Sequence, residues 1–188
     1  MSDNNDIDYG PLSGLIGVWK GDKGIDIAPD PDGTENNSYY ETITFEAIGD
    51  VTNAESQVLA AVHYRQIVRK ISDNEIFHDE TGYWMWDKQA GVVMHSLNIP
   101  RAVSLLAGGA HSGHKEEDGS IVLEVSADVD NKDWQIIQSP FMRDNARTTE
   151  FRHRISLDNN KLSYSETTMV DIYGKVFEHT DDNELSRQ

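Results

Sequence analysis

Apolar and polar residues alternate through most of this chain, and a period of two marks strands that set one face in a core and the other in water. Ile121, Leu123, Val125 and Ala127 fall on one face, and Val122, Glu124 and Ser126 on the other. Phe151, His153, Ile155 and Leu157 alternate with Glu150, Arg152, Arg154 and Ser156, and Val58, Ala60, Val62 and Tyr64 repeat the pattern earlier. Turn-forming clusters separate the runs: Pro29 to Ser38, Asp73-Asn74, Asp87 to Gly91, Glu116 to Gly119, Asp130 to Asp133 and Asp158 to Lys161. The runs number about ten, and only Gly10 to Ile16 carries a helical apolar stripe. Short turns between consecutive strands predict an all-β, antiparallel up-and-down meander that closes into a barrel, since closure removes exposed strand edges. A β-sandwich is the alternative. Residues 1–10 are expected to be a flexible acidic N-terminus, residues 11–188 a single barrel domain, and Gly108 to Gly113 a mobile loop.

Composition narrows the chemistry. The 188 residues include no cysteine, so disulfides, thiolate metal sites and cysteine nucleophiles are excluded. Sixteen Lys and Arg against 33 Asp and Glu leave a formal charge of −17, which repels phosphate backbones and anionic lipid. Neither nucleic acid nor membrane is expected as a partner. Without a basic, apolar leader or a run of about 18 apolar residues, a cytoplasmic location is expected. No Gly-x-Ser-x-Gly, Walker loop, His-Glu-x-x-His or dinucleotide glycine motif occurs, so any reaction has to come from a bound cofactor.

Several histidines and aromatics invite chemistry. His179 shares a strand face with Lys175 and Phe177, and the alternation leaves open whether that face points inward. His78 stands beside an acidic pair. His153, among Phe151, Ile155 and Leu157, reads as a buried imidazole with a polar partner. His111 and His114 lack a third ligand nearby and read as loop residues. In Tyr83-Trp84-Met85-Trp86 alternate members must face opposite ways, which puts two of them inside. Asp30-Pro31-Asp32-Gly33 is a turn and not a calcium loop.

Gly17-Val18-Trp19-Lys20-Gly21 opens the first strand. Its Trp would plug one barrel end, where Arg187 of the closing strand could stack on the ring. Further along stand Phe77-His78-Asp79-Glu80-Thr81-Gly82-Tyr83, the turn Asn98-Ile99-Pro100-Arg101-Ala102 before Gly108, Leu162-Ser163-Tyr164 and the late His179. Together these segments resemble the nitrobindins, heme-binding barrels of the lipocalin and fatty-acid-binding-protein type. The chain departs from that pattern in four places. Gly24 falls one position late, Phe77 replaces a Met, Asp30 follows Pro29 where the family has a Thr near the heme, and the segment after His179 is acidic. The resemblance implies heme b with His179 as the axial ligand to iron, His78 on the pocket wall and Asp30 at the cofactor. It implies no catalytic residue beyond the iron, which would bind nitric oxide or isomerise peroxynitrite to nitrate. The alternative is a carrier of a fatty acid or other hydrophobic small molecule, gripped by an inward Arg-Tyr group. A barrel without a ligand is the third reading, and the oligomeric state is left open.

Overall fold

The computed structural model describes residues 7–188. Its strands are β1 (Gly17–Asp30), β2 (Gly33–Ala54), β3 (Gln57–Lys70), β4 (Ile76–Asp87), β5 (Val92–Ile99), β6 (Val103–Ala110), β7 (Ile121–Asp128), β8 (Ile136–Gln138), β9 (Ala146–Asp158), β10 (Lys161–Ile172) and β11 (Lys175–Arg187). Every pairing is antiparallel. Ten strands close a ring in the order β1-β2-β3-β4-β5-β6-β7-β9-β10-β11, with β11 returning to β1. The barrel expected from the alternation is therefore the fold, and the sandwich is not. The short β8 extends the wall beside β6 past the end of β7. Its Gln138 amide bonds both the N–H and the C=O of Thr148 in β9, at 3.0 and 2.9 Å.

Four expectations need correction. Pro29 to Ser38 is not one long turn: β1 runs to Asp30 and β2 restarts at Gly33, leaving a tight hairpin. Gly108 and Gly109 belong to β6 and not to a loop, because a Cβ at Gly108 would strike the Trp134 ring and one at Gly109 the Glu124 carbonyl. The stripe at Gly10 to Ile16 yields only a 3-10 turn over Gly10–Leu12. A short helix, α1 (Pro140–Asn145), escaped the periodicity, although Ser139 caps it and Pro140 occupies its first turn. Of the N-terminal segment, residues 1–6 lie outside the described residues. Tyr9 is buried and Ile7 packs against the core.

One end of the barrel is sealed by its own sequence. Leu12, Leu15 and Trp19 have no exposed surface, and the Trp19 indole N–H donates to the Leu15 carbonyl at 2.6 Å. The Arg187 guanidinium lies 4.4 Å from the Trp19 ring centre and donates to the carbonyls of Gly14 and Ile16, as the opening and closing motifs required. Beneath this cap, Trp84 stacks on His95 with centroids 4.2 Å apart, and Phe45, Tyr64 and Phe151 fill the layer around them. Trp84 and Trp86 are the two inward members of the aromatic run. Toward the other end the packing stops and a cavity opens.

Candidate functional site

The cavity has a volume of about 410 Å³ and is bounded by β1 to β6, β9 to β11 and α1. Much of its wall is apolar: Val68, Leu97, Ile99, Leu105, Val170 and Ile172 all face it. The remainder is crowded with ionisable groups, among them Asp26, His78, Glu80, Glu166, His179 and Asp181. The last strand places two of these. Its inward face carries His179, Asp181, Asn183 and Leu185, the last two buried, which settles the orientation that alternation alone left open.

Asp26 arrives by a less obvious route. In β1 the register against β2 slips between Gly21 and Gly24, and against β11 between Lys20 and Ile25. Such a bulge moves the inward set by one position. Ile25 is consequently 52% exposed while Asp26 is 3% exposed, the reverse of what their polarities suggest. Gly24 is required in this stretch because a Cβ there would strike the Tyr39 ring.

His179 is gripped by what the bulge delivers. Its Nε2 lies 2.6 Å from Asp26 Oδ1 and 3.4 Å from Asp181 Oδ2, and Asn37 donates to the other Asp26 oxygen at 2.9 Å. Burial alone would lower the His179 pKa, but the hydrogen bond it donates to Asp26 and the charges of Asp181, Asp26 and Glu166 outweigh it and raise it. Asp181 is pushed up to about 7, by burial above all; His179 opposes that rise, while Glu166 and Asp26 add to it. The other imidazole expected at the pocket behaves alike. His78 bonds Glu80 at 3.1 Å and is raised to about 9, because the carboxylate overcomes the effect of burial. Asp30 is not among the residues lining the cavity. It sits at the hairpin, where its carboxylate accepts the N–H of Asp32 at 3.0 Å, so the turn chemistry of Asp-Pro-Asp-Gly claims it.

The cavity floor is a hydrogen-bonded layer that the sequence reading did not assemble. Glu41, 1% exposed, accepts from Gln66 at 2.7 Å, Tyr164 at 2.9 Å and Asn183 at 2.7 Å. Burial raises it to about 7 against those three donors. Tyr39 and Tyr164 share a hydroxyl contact of 2.7 Å. On the other side Tyr64 donates to Glu80 at 2.5 Å and meets His95 Nε2 at 2.8 Å. Because the Tyr64 proton goes to Glu80, His95 has to donate through Nε2–H. Full burial and the nearby His153 hold its pKa well below normal. The signal for Glu41 was present, since Tyr39, Glu41, Ile43 and Phe45 share one strand face.

The remaining histidines stay outside the cavity. His153 is buried as expected, with Nδ1 3.1 Å from Glu166 Oε2 but without hydrogen-bond geometry. His111 and His114 lie on a loop, and the cluster of Asp26, His179 and Asp181 is the one set of potential metal donors among the described residues.

A porphyrin's needs can be set against this wall. An imidazole held by a carboxylate is how proteins orient an iron ligand, and among the described residues Nδ1 of His179 is the ring nitrogen without a hydrogen-bond partner. The apolar strands suit a flat macrocycle, and Lys70 and Arg101 are the cavity's two permanent cations. The residues present fit such a group.

Comparison with known proteins agrees with this geometry. Residues 8–187 match the family described as THAP4-like, heme-binding beta-barrel domain. Among solved structures the chain resembles that of Rv2717c from M. tuberculosis, with a TM-score of 0.71 and 23% identity over 97% of this chain and 99% of the other. At that identity the likeness is one of fold. No curated protein sequence matches.

Proposed function

The chain belongs to the family of THAP4-like, heme-binding β-barrel domains, and from that premise we propose that the open half of the barrel takes b-type heme on His179 and handles nitric oxide or peroxynitrite there. The observation that carries the reading is the position of His179, on the wall of an otherwise largely apolar cavity with one ring nitrogen held by buried Asp26. That pairing fixes the ring and strengthens the donor power of the other nitrogen. Bound ferric heme would supply an open iron position at which small nitrogen oxides bind and peroxynitrite is isomerised to nitrate. The chain's own share is to orient, shield and provide charge. His78, kept protonated at neutral pH by Glu80, sets a positive charge on the cavity wall where an anionic ligand gains from it. Asp30 has no part in this reading.

The carrier of fatty acids is less well supported. Its head group needs a free tyrosine hydroxyl beside a cation, yet Tyr39 and Tyr164 bond each other and Tyr164 donates to Glu41. Glu41, beside both hydroxyls on the cavity floor, disfavours a second carboxylate at that spot.

Hemin titration followed by the Soret band tests the proposal. Wild type is expected to bind one heme, and His179→Ala to bind about tenfold or more weakly, or with a shifted band. An identical spectrum and affinity in the variant, or no Soret change in wild type, would overturn the assignment.

A further inference from the structure

The acidic surroundings of His179 exceed what orienting one imidazole requires. Donor atoms of Asp26, His179 and Asp181 all lie within 4.8 Å of one another, brought together from β1 and β11. Asn37 occupies one Asp26 oxygen and leaves the other turned toward the imidazole. Asp181 makes no hydrogen bond through its carboxylate among the described residues; its ion contact there is the 3.4 Å to His179 Nε2. Glu166 faces the same cavity as a third carboxylate. Among the described residues no Lys or Arg ion pair reaches any of the three: Lys70, the basic residue on the same wall that is ion-paired, is bound to Glu35. Around His179, Asp26 and Asp181 therefore face one imidazole with no Lys or Arg paired to either among the described residues, a local donor set that can meet a cation.

We propose that Asp26, His179 and Asp181 form a binding site for a divalent first-row transition-metal ion, with one nitrogen and two oxygen donors and its open positions toward the cavity. The donor types select the class of ion. An imidazole suits zinc, iron, nickel or cobalt better than calcium or magnesium, the two carboxylates also admit manganese, and without sulfur there is nothing to favour copper(I). An organic ammonium would satisfy the carboxylates but leave the imidazole lone pair unused. Donors about 2.0–2.2 Å from an ion stand farther apart than Nε2 and Asp26 Oδ1 do, so the pair spreads by roughly half an ångström on binding. The proton between them leaves to solvent as the ion enters. Asn37 then acts as the outer partner that holds Asp26 in place. The site shares His179 with the porphyrin reading but does not rest on it.

Mn²⁺ and Co²⁺ titrations of the full chain test the site. One Co²⁺ per chain is expected to give visible d–d absorption, and substoichiometric Mn²⁺ to broaden the NMR signals of residues 26, 179 and 181 before those of the loop at 111–114. Asp181→Asn is expected to weaken binding about tenfold or more, with a folded far-UV spectrum. A His111→Ala/His114→Ala double variant should bind as wild type does. Three results would overturn the site: no binding by wild type, undiminished binding by Asp181→Asn, or broadening centred on the loop or spread over the acidic surface. Metal binding without hemin binding would sink the porphyrin reading alone, and hemin binding without metal binding would sink this one alone.

Discussion

The two halves of the barrel are made from the same strands and treat their histidines in opposite ways. In the sealed half His95 is stacked on Trp84, has no exposed surface and is held neutral. In the open half His78 and His179 keep about a third of their side chains exposed, 33% and 30%, and lean on carboxylates that raise their pKa. A buried imidazole without a counter-charge gives up its proton, whereas one facing a carboxylate keeps it. Tyr64 and Glu80 form the border, since Tyr64 touches His95 on one side and Glu80 touches His78 on the other. Stability and ligand chemistry are thereby separated along the barrel axis.

Mutations should report that separation. Trp84→Ala removes a side chain 1% exposed in the packed layer, and a loss of about 3–5 kcal/mol is expected in denaturant unfolding. Val170→Ala, on the cavity wall, removes a half-buried methyl pair and is expected to cost about 1 kcal/mol or less. Equal losses at the two positions would mean that the halves are not packed differently.

The next largest effect concerns pH. Glu41 moves from 4.5 to about 7 in the folded chain, so above 4.5 the unfolded chain releases a proton that the native state retains. Its contribution to stability is therefore lost as pH rises through about 7. His78, raised from 6.5 to about 9, has the same sign in a later window: its stabilisation is complete below 6.5 and lost as pH rises through about 9. Its partial exposure makes it the smaller of the two. Asp181, raised to about 7, adds to this loss, whereas His95, held neutral by burial, works the other way below its ordinary 6.5; thermal unfolding should therefore show the midpoint falling most plainly from about pH 7 to pH 9. Glu41→Gln should flatten the first part of that fall. Wild type and Glu41→Gln midpoints that run parallel with pH would contradict the Glu41 assignment, and a midpoint that rises between pH 7 and pH 9 the His78 one.

Arg187→Ala tests the seal. It removes the stack on Trp19 and the bonds to two carbonyls, and a loss of about 1–2 kcal/mol is expected, with hemin binding at the far end unchanged. Weakened hemin binding in a folded variant would show that the two ends are coupled.

Most of the sealed half was legible in the sequence. Trp19 and Arg187 follow from the pairing of first and last strands, and period two sets Trp84 with Trp86 on one face without saying that this face is the inward one. The open half was less so, because its determinants are polar residues on inward faces. Asp26 was missed since a bulge near Gly24 reverses the face on which Ile25 and Asp26 would otherwise lie, and the glycine one position late was its trace. Asp30 was placed at the cofactor by resemblance, and its carboxylate accepts the Asp32 N–H in the hairpin. His179 and Asp181 could be set on one strand face, but which way that face pointed depended on closure with β1.

The division of the barrel is tested most directly by the ring nitrogens themselves. Two-bond ¹H–¹⁵N spectra of the imidazoles, recorded from pH 5 to pH 9, should show His95 as a neutral Nε2–H tautomer throughout, while His78 is doubly protonated at pH 7 and loses its proton only near the top of the range. A His95 that titrates within that range, or a His78 already neutral at pH 7, would contradict it.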